Sequence, residues 1–284
     1  MRHRNDAGQH SQQWSRAALV WNQLGSPLRP VEADLLPVRG GLASWCADHP
    51  GRRPHGLILG VTPELYGLPW PDRRQLRAAE RTPEMIAHVW PGNADQVLNT
   101  DWEHLSVEPA SVDIALCDGG LHLLDHPSGQ RRLFGILSDA MAAGGLLILR
   151  LFVPPARPET ADDVLAALFA GDIGDMNRLK MRLGMALQDA PETGVAVHTV
   201  WQTLHDAAGD WPQLARQLGW DLEHVRAIDA YRDSTARKHY IDEPTMLSLA
   251  DEATGGAFEP VGRYEPGYLM GEQCPTVLLR RTGP

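Results

Sequence analysis

Gly56-Leu57-Ile58-Leu59-Gly60-Val61-Thr62-Pro63-Glu64 is the stretch on which the fold turns. Its first six residues carry no polar side chain, the pattern of a short strand buried on both faces of a parallel sheet. The next three read as a helix start: threonine as N-cap, proline at the first helical position, an acid in the first turn. A buried strand running straight into a helix opens a β-α-β unit, and the flanking sequence continues it. Gln75 to Glu80 reads as a second strand, and Thr82-Pro83-Glu84 repeats the helix start for a helix reaching about Val89. Gln96 to Asn99 gives a third short strand, and Val112 to Cys117 a fourth that ends at Asp118. Arg131 to Ala143 is amphipathic, with Leu133, Phe134, Leu137 and Met141 inward. Gly144-Gly145 ends that helix, and Leu146 to Val153 is the fifth strand. This alternation implies an α/β fold, a doubly wound parallel sheet with right-handed crossovers.

Upstream, Trp14, Ala17, Ala18, Trp21 and Leu24 share one face of a helix from Ser11 to Leu24, stopped by Gly25 and Pro27. A Pro- and Gly-rich loop follows, with a short helix near Leu42 to Ala47. Downstream, the chain is mostly helical from Pro154 to about Pro244, with helices near 161–170, 175–188, 195–206, 211–218 and 221–232. Two last strands, Phe258 to Arg263 and Pro275 to Arg281, complete the chain. The expected organisation is a helical leader over 1–54, a core over 55–155, a helical insertion over 156–244, and the end of the core over 245–284. The insertion is about a hundred residues long where a crossover needs only a dozen or so. It leaves from the edge of the sheet where ligands bind, so it can cover a pocket. The competing role is packing or homodimerisation. Tyr231, Arg232, Tyr240, His239, His198 and His205 are candidates for its inner surface.

A formal net charge of −10, with basic residues in isolated pairs such as Arg73-Arg74, disfavours nucleic acid, whose readers carry a basic stripe. The longest apolar run, Leu146 to Val153, is interrupted by Arg150 and far shorter than the roughly 20 residues of a membrane helix. Met1 to Gln13 is polar, with no secretory h-region. The three cysteines, Cys46, Cys117 and Cys274, are far apart, with no metal-ligand spacing; a reduced, cytoplasmic setting and no metal are expected.

A ligand of an open α/β sheet sits outside the carboxyl ends of the strands, at the switch point. The residues there are Gly60 and Thr62 after the first strand, Glu80 after the second, Asp101 and Trp102 after the third, and Asp118-Gly119-Gly120 after the fourth, with His122 close behind. Three acids and a glycine turn converge on one edge; carboxylates suit a ribose diol or an amine.

This series resembles the class I S-adenosylmethionine-dependent methyltransferases over residues 55–153 and 255–282. The resemblance implies a Rossmann-like, seven-strand sheet whose closing strands form an antiparallel pair, with N-terminal helices and the helical insertion added. It implies S-adenosylmethionine (SAM) as cofactor, with Gly60 and Thr62 at the methionine part and Glu80 on the ribose. Asp101 and Trp102 fall at the adenine, and Asp118 and Gly119 at the methyl-donor end. The first turn departs from the family's glycine-rich pattern, holding Gly60 alone in its core. That disfavours nicotinamide dinucleotides, whose pyrophosphate needs bare backbone N–H groups, while SAM carries no phosphate. The expected reaction is methyl transfer to an O, N or C nucleophile of a small molecule, with His122 and Tyr240 as candidate catalytic residues. The alternatives are intramolecular cyclisation of the aminobutyrate arm, releasing methylthioadenosine, and non-catalytic SAM binding. The turn Asp118-Gly119-Gly120-Leu121 lacks the Asn/Asp-Pro-Pro-Tyr/Phe pattern of methylases acting on bases.

Overall fold

A computed structural model describes residues 14, 15, 18, 19 and 21–283. Of the helix expected from Ser11 to Leu24, positions 11–13, 16, 17 and 20 lie outside these residues; Trp14, Ser15, Ala18 and Leu19 are helical, and Trp21–Gln23 is a 3₁₀ turn. Seven strands form one sheet: β1 (Gly56–Leu59), β2 (Leu76–Ala79), β3 (Val97–Leu98), β4 (Val112–Asp118), β5 (Met141–Arg150), and, after a small two-stranded ribbon, β8 (Phe258–Tyr264) and β9 (Thr276–Arg281). A separate ribbon pairs β6 (Val195–Ala196) with β7 (Arg237–Lys238), antiparallel. The sheet order is β3-β2-β1-β4-β5-β9-β8. The first five strands run parallel, and β9 enters antiparallel between β5 and β8.

Alternation of side chains across the strands builds two cores. Leu57, Leu59, Ala115, Cys117, Leu147, Leu149, Val277 and Leu279 face one side. They pack against α4 (Ser128–Ala140) through Leu133, Phe134 and Leu137, and against α10 (Glu243–Thr254) through Met246 and Leu249. Ile58, Ala78, Ile114, Leu116, Ile148 and Leu278 face the other side, under Leu35, Val38, Leu42 and Trp45 of α1 (Glu32–Asp48). The short helices α2 (Pro63–Tyr66) and α3 (Pro83–His88) begin at Thr62 and Thr82, as the repeated Thr-Pro-Glu signal requires. The insertion carries a third core of its own, around Val164, Leu179, Leu183, Val200, Leu204 and Ile228. Its helices are α5 (Ala161–Ala170), α6 (Met176–Ala186), α7 (Val197–Ala208), α8 (Trp211–Leu218) and α9 (Leu222–Arg226). No helix among the described residues is long and apolar enough to cross a membrane.

Three helices differ from expectation. α4 ends at Ala140, and Gly144-Gly145 lie inside β5 instead of ending the helix. The helix near Leu42 to Ala47 extends back to Glu32, through Pro37 and Gly40-Gly41. Gly41 lies so close to the sheet that a Cβ there would fall 2.8 Å from Ile148 Cδ1, so the glycine serves packing rather than a turn. Pro244, at the expected end of the helical insertion, lies inside α10 instead. Asp242 caps that helix through the Thr245 N–H (2.8 Å), and Pro244 occupies its first turn, where proline costs no hydrogen bond.

Arg150, at the end of β5, joins the layers. Its Nε donates to Asp118 Oδ1 (2.5 Å), and its Nη1 donates to the Pro27 carbonyl (2.8 Å). Asp34 Oδ1 lies 3.7 Å from Nη1 and accepts from Tyr268 Oη (2.7 Å). Side chains of Arg150 and Asp118 are 3% and 8% exposed, so the pair is effectively out of water. Removing one partner of such a pair leaves the other charge buried and typically costs about 3–5 kcal/mol. Arg150→Met is therefore expected to lower unfolding free energy by about that amount in urea titration, and adding Asp118→Leu is expected to recover part of it. Additive losses in the double variant would show that the two residues do not act as a pair.

Candidate functional site

A cavity of about 450 Å³ opens at the carboxyl ends of β1, β2 and β4, within the usual range for small-ligand sites. Gly60, Thr62, Glu80, Asp101, Trp102, Asp118 and Gly119 all line it, and so does His122. Trp14, Trp21 and Leu28 of the leader close one side. Lys180, Tyr231 and Lys238 of the insertion close another.

Gly60 follows β1 with φ +91°, a conformation that favours glycine, and donates its N–H to the Ala79 carbonyl (2.9 Å). Trp102 Nε1 donates to the same carbonyl (2.8 Å), which fixes the indole across the switch point. The ring approaches the fourth turn so closely that a Cβ on Gly120 would lie 2.4 Å from Cη2. Glu80 Oε1 accepts the Thr82 N–H (2.7 Å); burial pushes the Glu80 carboxyl above its ordinary value, opposed by that hydrogen bond. Asp101 sits at the rim, half exposed, its Oδ1 2.8 Å from Arg81 Nη1. Asp118 faces the cavity but is committed to Arg150, so its first task is structural.

His122 lies in a short 3₁₀ turn, Leu121–Leu123, after β4. Its ring stacks on Tyr240 (centroids 5.2 Å apart, 10° between planes) and packs against Phe152. Neither ring nitrogen has a hydrogen-bond partner. Burial first, and then the nearby Lys238 cation, push its pKa well below the ordinary 6.5, so the ring is neutral.

Tyr240 does not line the cavity. It is 1% exposed behind His122, and burial pushes its phenol up to about 12, against the pull of Lys238. The structure makes it a backing for His122, not a group that can touch a ligand. Of the other insertion residues expected to face inward, Tyr231 does so. His198 and His205 instead stack on Trp201, and Arg232 lies over the same ring. The buried face of α7 is Val197, Val200, Trp201 and Leu204, and the two histidines fall beside it. His239 turns away to the Pro191 carbonyl (2.7 Å).

Lys180 and Lys238 are absent from the residues expected at the site, although two signals were present. Met176, Leu179, Lys180 and Leu183 follow helical spacing, so the lysine falls on the buried face of α6. The sequence also holds only these two lysines against twenty-four arginines, and both lie in the cavity wall.

No sequence family matches the chain, and no curated protein matches it in sequence. Solved structures do resemble it. The N-methyltransferase NodS from Bradyrhizobium japonicum WM9, in complex with S-adenosyl-L-homocysteine, is 12% identical with TM-score 0.50, over 96% of this chain and 100% of that one. The 1,6-didemethyltoxoflavin-N1-methyltransferase of Burkholderia thailandensis, with bound 1,6-didemethyltoxoflavin and S-adenosylhomocysteine, is 12% identical with TM-score 0.51, over 98% and 89%. A putative Zn-dependent alcohol dehydrogenase from Rhodobacter sphaeroides is 12% identical with TM-score 0.57, over 95% and 98%. Nicotinamide dinucleotide domains carry strand order 3-2-1-4-5-6. Here β9 is inserted antiparallel beside β5, with β8 at the edge. The chain has the Rossmann-like, seven-strand fold of class I SAM-dependent methyltransferases.

The neutral His122 has a consequence for stability. Because its pKa is depressed in the folded state, the unfolded chain binds more protons just below pH 6.5, and stability contributed by the neutral ring is lost as pH falls through that window. His122→Phe keeps the stacked ring and removes the titration. Its stability relative to the parent is expected to rise by on the order of 1–2 kcal/mol between pH 7 and pH 5, measured by urea unfolding. A constant difference across that range would mean that His122 titrates alike in the folded and the unfolded chain.

Proposed function

We propose that the chain is a SAM-dependent methyltransferase that modifies a small molecule inside the cavity. One observation carries the reading: the turns after β1, β2, β3 and β4 of a methyltransferase-type sheet bring Gly60, Glu80, Trp102 and Gly119 to a single cavity. Two of the proteins that share this fold hold S-adenosylhomocysteine. The residues fit the cofactor. Glu80 presents a carboxylate to a ribose diol, and the Trp102 indole gives adenine an aromatic neighbour. The turn at Gly60 lets backbone approach the amino-acid arm closely. Asp101 shares its charge with Arg81, so it is the weaker of the two acids for ligand binding.

SAM supplies a methyl group on a sulfonium; an acceptor's lone pair forms the new bond to that carbon, and the departing electron pair stays on sulfur as S-adenosylhomocysteine. The protein's part is alignment and exclusion of water, and alignment alone can supply roughly 7–11 kcal/mol of such a barrier. The insertion and the leader tryptophans form two sides of the cavity and narrow its opening to solvent. The neutral ring of His122, with both nitrogens unpartnered, can orient an acceptor or take up its proton.

Glu80→Ala tests the site. Losing a hydrogen bond to a charged group costs roughly 1.5–3 kcal/mol. Calorimetric titration is therefore expected to show S-adenosylhomocysteine bound at least about tenfold more weakly by the variant than by the parent. Equal affinities would remove Glu80 from the cofactor site, and no binding by either protein would remove the cofactor.

A further inference from the structure

Lys180 and Lys238 are 3% and 6% exposed, both in the wall of the cavity, and neither forms an ion pair among the described residues. Lys180 Nζ donates to the Ala227 carbonyl (2.9 Å), and Lys238 Nζ donates to Tyr231 Oη (2.8 Å). Both ammonium groups approach the Tyr231 ring, at 5.4 and 5.1 Å from its centroid. Secondary structure pins them from two directions, α6 carrying Lys180 and the β6–β7 ribbon carrying Lys238. The acids nearest Lys180 in effect are Asp229 and Asp175. Asp229 Oδ1 is taken by the indoles of Trp201 and Trp211, and Asp175 caps α6 through the Asn177 and Arg178 N–H groups. Neither carboxylate reaches the lysines as a hydrogen-bond partner.

Burying a cation without a counter-charge is expensive, and two together compound the cost by mutual repulsion. Burial, then Lys238, push Lys180 down to about 7, against Asp229 and Asp175, while Lys238 keeps its proton beside Tyr231. In a chain that otherwise uses arginine for its permanent positive charges, two compact ammonium groups at one end of one cavity mark a need for a small anion. The donor count fits a carboxylate. Lys180 has one of three N–H donors in use, and Lys238 has Tyr231 and Tyr240 beside it, leaving about three donors for a carboxylate that offers about four lone-pair sites. His122 lines the same cavity with both nitrogens unpartnered, giving the rest of such a molecule a polar contact.

We infer that the methyl acceptor is a small organic acid whose carboxylate binds at the Lys180–Lys238 end of the cavity. The inference rests on the methyltransferase reading and specifies its substrate class. The acid end of the cavity, at Glu80 and Asp101, then takes the cofactor's ribose and adenine, and the lysine end takes the acceptor.

The test uses the full chain saturated with S-adenosylhomocysteine and four acids paired with their primary amides: benzoate, salicylate, anthranilate and nicotinate. Calorimetry is expected to show acids bound at least about tenfold more tightly than the matching amides. Lys180→Met and Lys238→Met are each expected to remove that preference while S-adenosylhomocysteine affinity is unchanged. A second measurement needs no variant. At pH 8 Lys180 is largely neutral in the free protein, so a bound carboxylate draws a proton onto it. The acid-binding enthalpy is then expected to differ between Tris and triethanolamine buffers in proportion to that uptake. Acid and amide retained alike, neither retained, an unaltered preference in both variants, or an enthalpy independent of buffer would each overturn the inference. Failure to bind S-adenosylhomocysteine at all would instead overturn the methyltransferase reading, so the two failures are separable.

Discussion

The buried pair between Arg150 and Asp118 is the interaction on which the site's geometry depends. It joins the end of β5 to the turn after β4, the switch point of the sheet. Through the Pro27 carbonyl and Asp34 it fastens the leader, and through Tyr268 it reaches the segment before β9. Burial opposes the charge on Arg150, but Asp118 and Asp34 outweigh it and the guanidinium stays protonated. Its neighbour Phe152 lies under the guanidinium and against His122 and Gly119, so the same contact shapes the cavity wall at the turn after β4.

The cavity that this pair organises has two electrostatic ends. Glu80 and Asp101 stand at the ends of the outer parallel strands, and the two lysines hang from the insertion. His122 sits between neutral aromatic rings, stripped of its charge by burial and by Lys238. The net charge of −10 hides this local reversal, because surface acids dominate the sum while the only lysines are inside. A net charge speaks against a basic stripe on the surface. It carries no information about a buried basic pocket.

Much of this was legible in the sequence, for local reasons. The apolar run 56–61 and the two Thr-Pro-Glu starts determine strand and helix independently of their surroundings. Residues that directly follow strands had to meet at one edge once the sheet was parallel, which is why all seven expected cofactor residues line the cavity. Expectation and structure part where tertiary context overrides local preference. Pro37 and Gly40-Gly41 are breakers by propensity, yet α1 runs through them because its Leu35, Val38, Leu42 and Trp45 face is buried on the sheet. Tyr240 has the character of an inward-facing polar residue, and only the long-range β6–β7 pairing decides that Lys238 reaches the cavity while Tyr240 backs His122. Asp118 could be placed at the edge from sequence, but its partner, thirty-two residues away at the end of β5, could not.

Central to the proposed chemistry is a cofactor at the strand ends and an acceptor at the insertion, held together in one cavity. Hydrogen exchange of the free protein and of the protein with S-adenosylhomocysteine and benzoate together measures this most directly, since it reports each segment separately. Slower exchange is expected both in peptides covering 56–120 and in peptides covering 176–240, where Lys180, Tyr231 and Lys238 close the wall. Protection confined to 56–120, with the insertion exchanging as in the free protein, would contradict it.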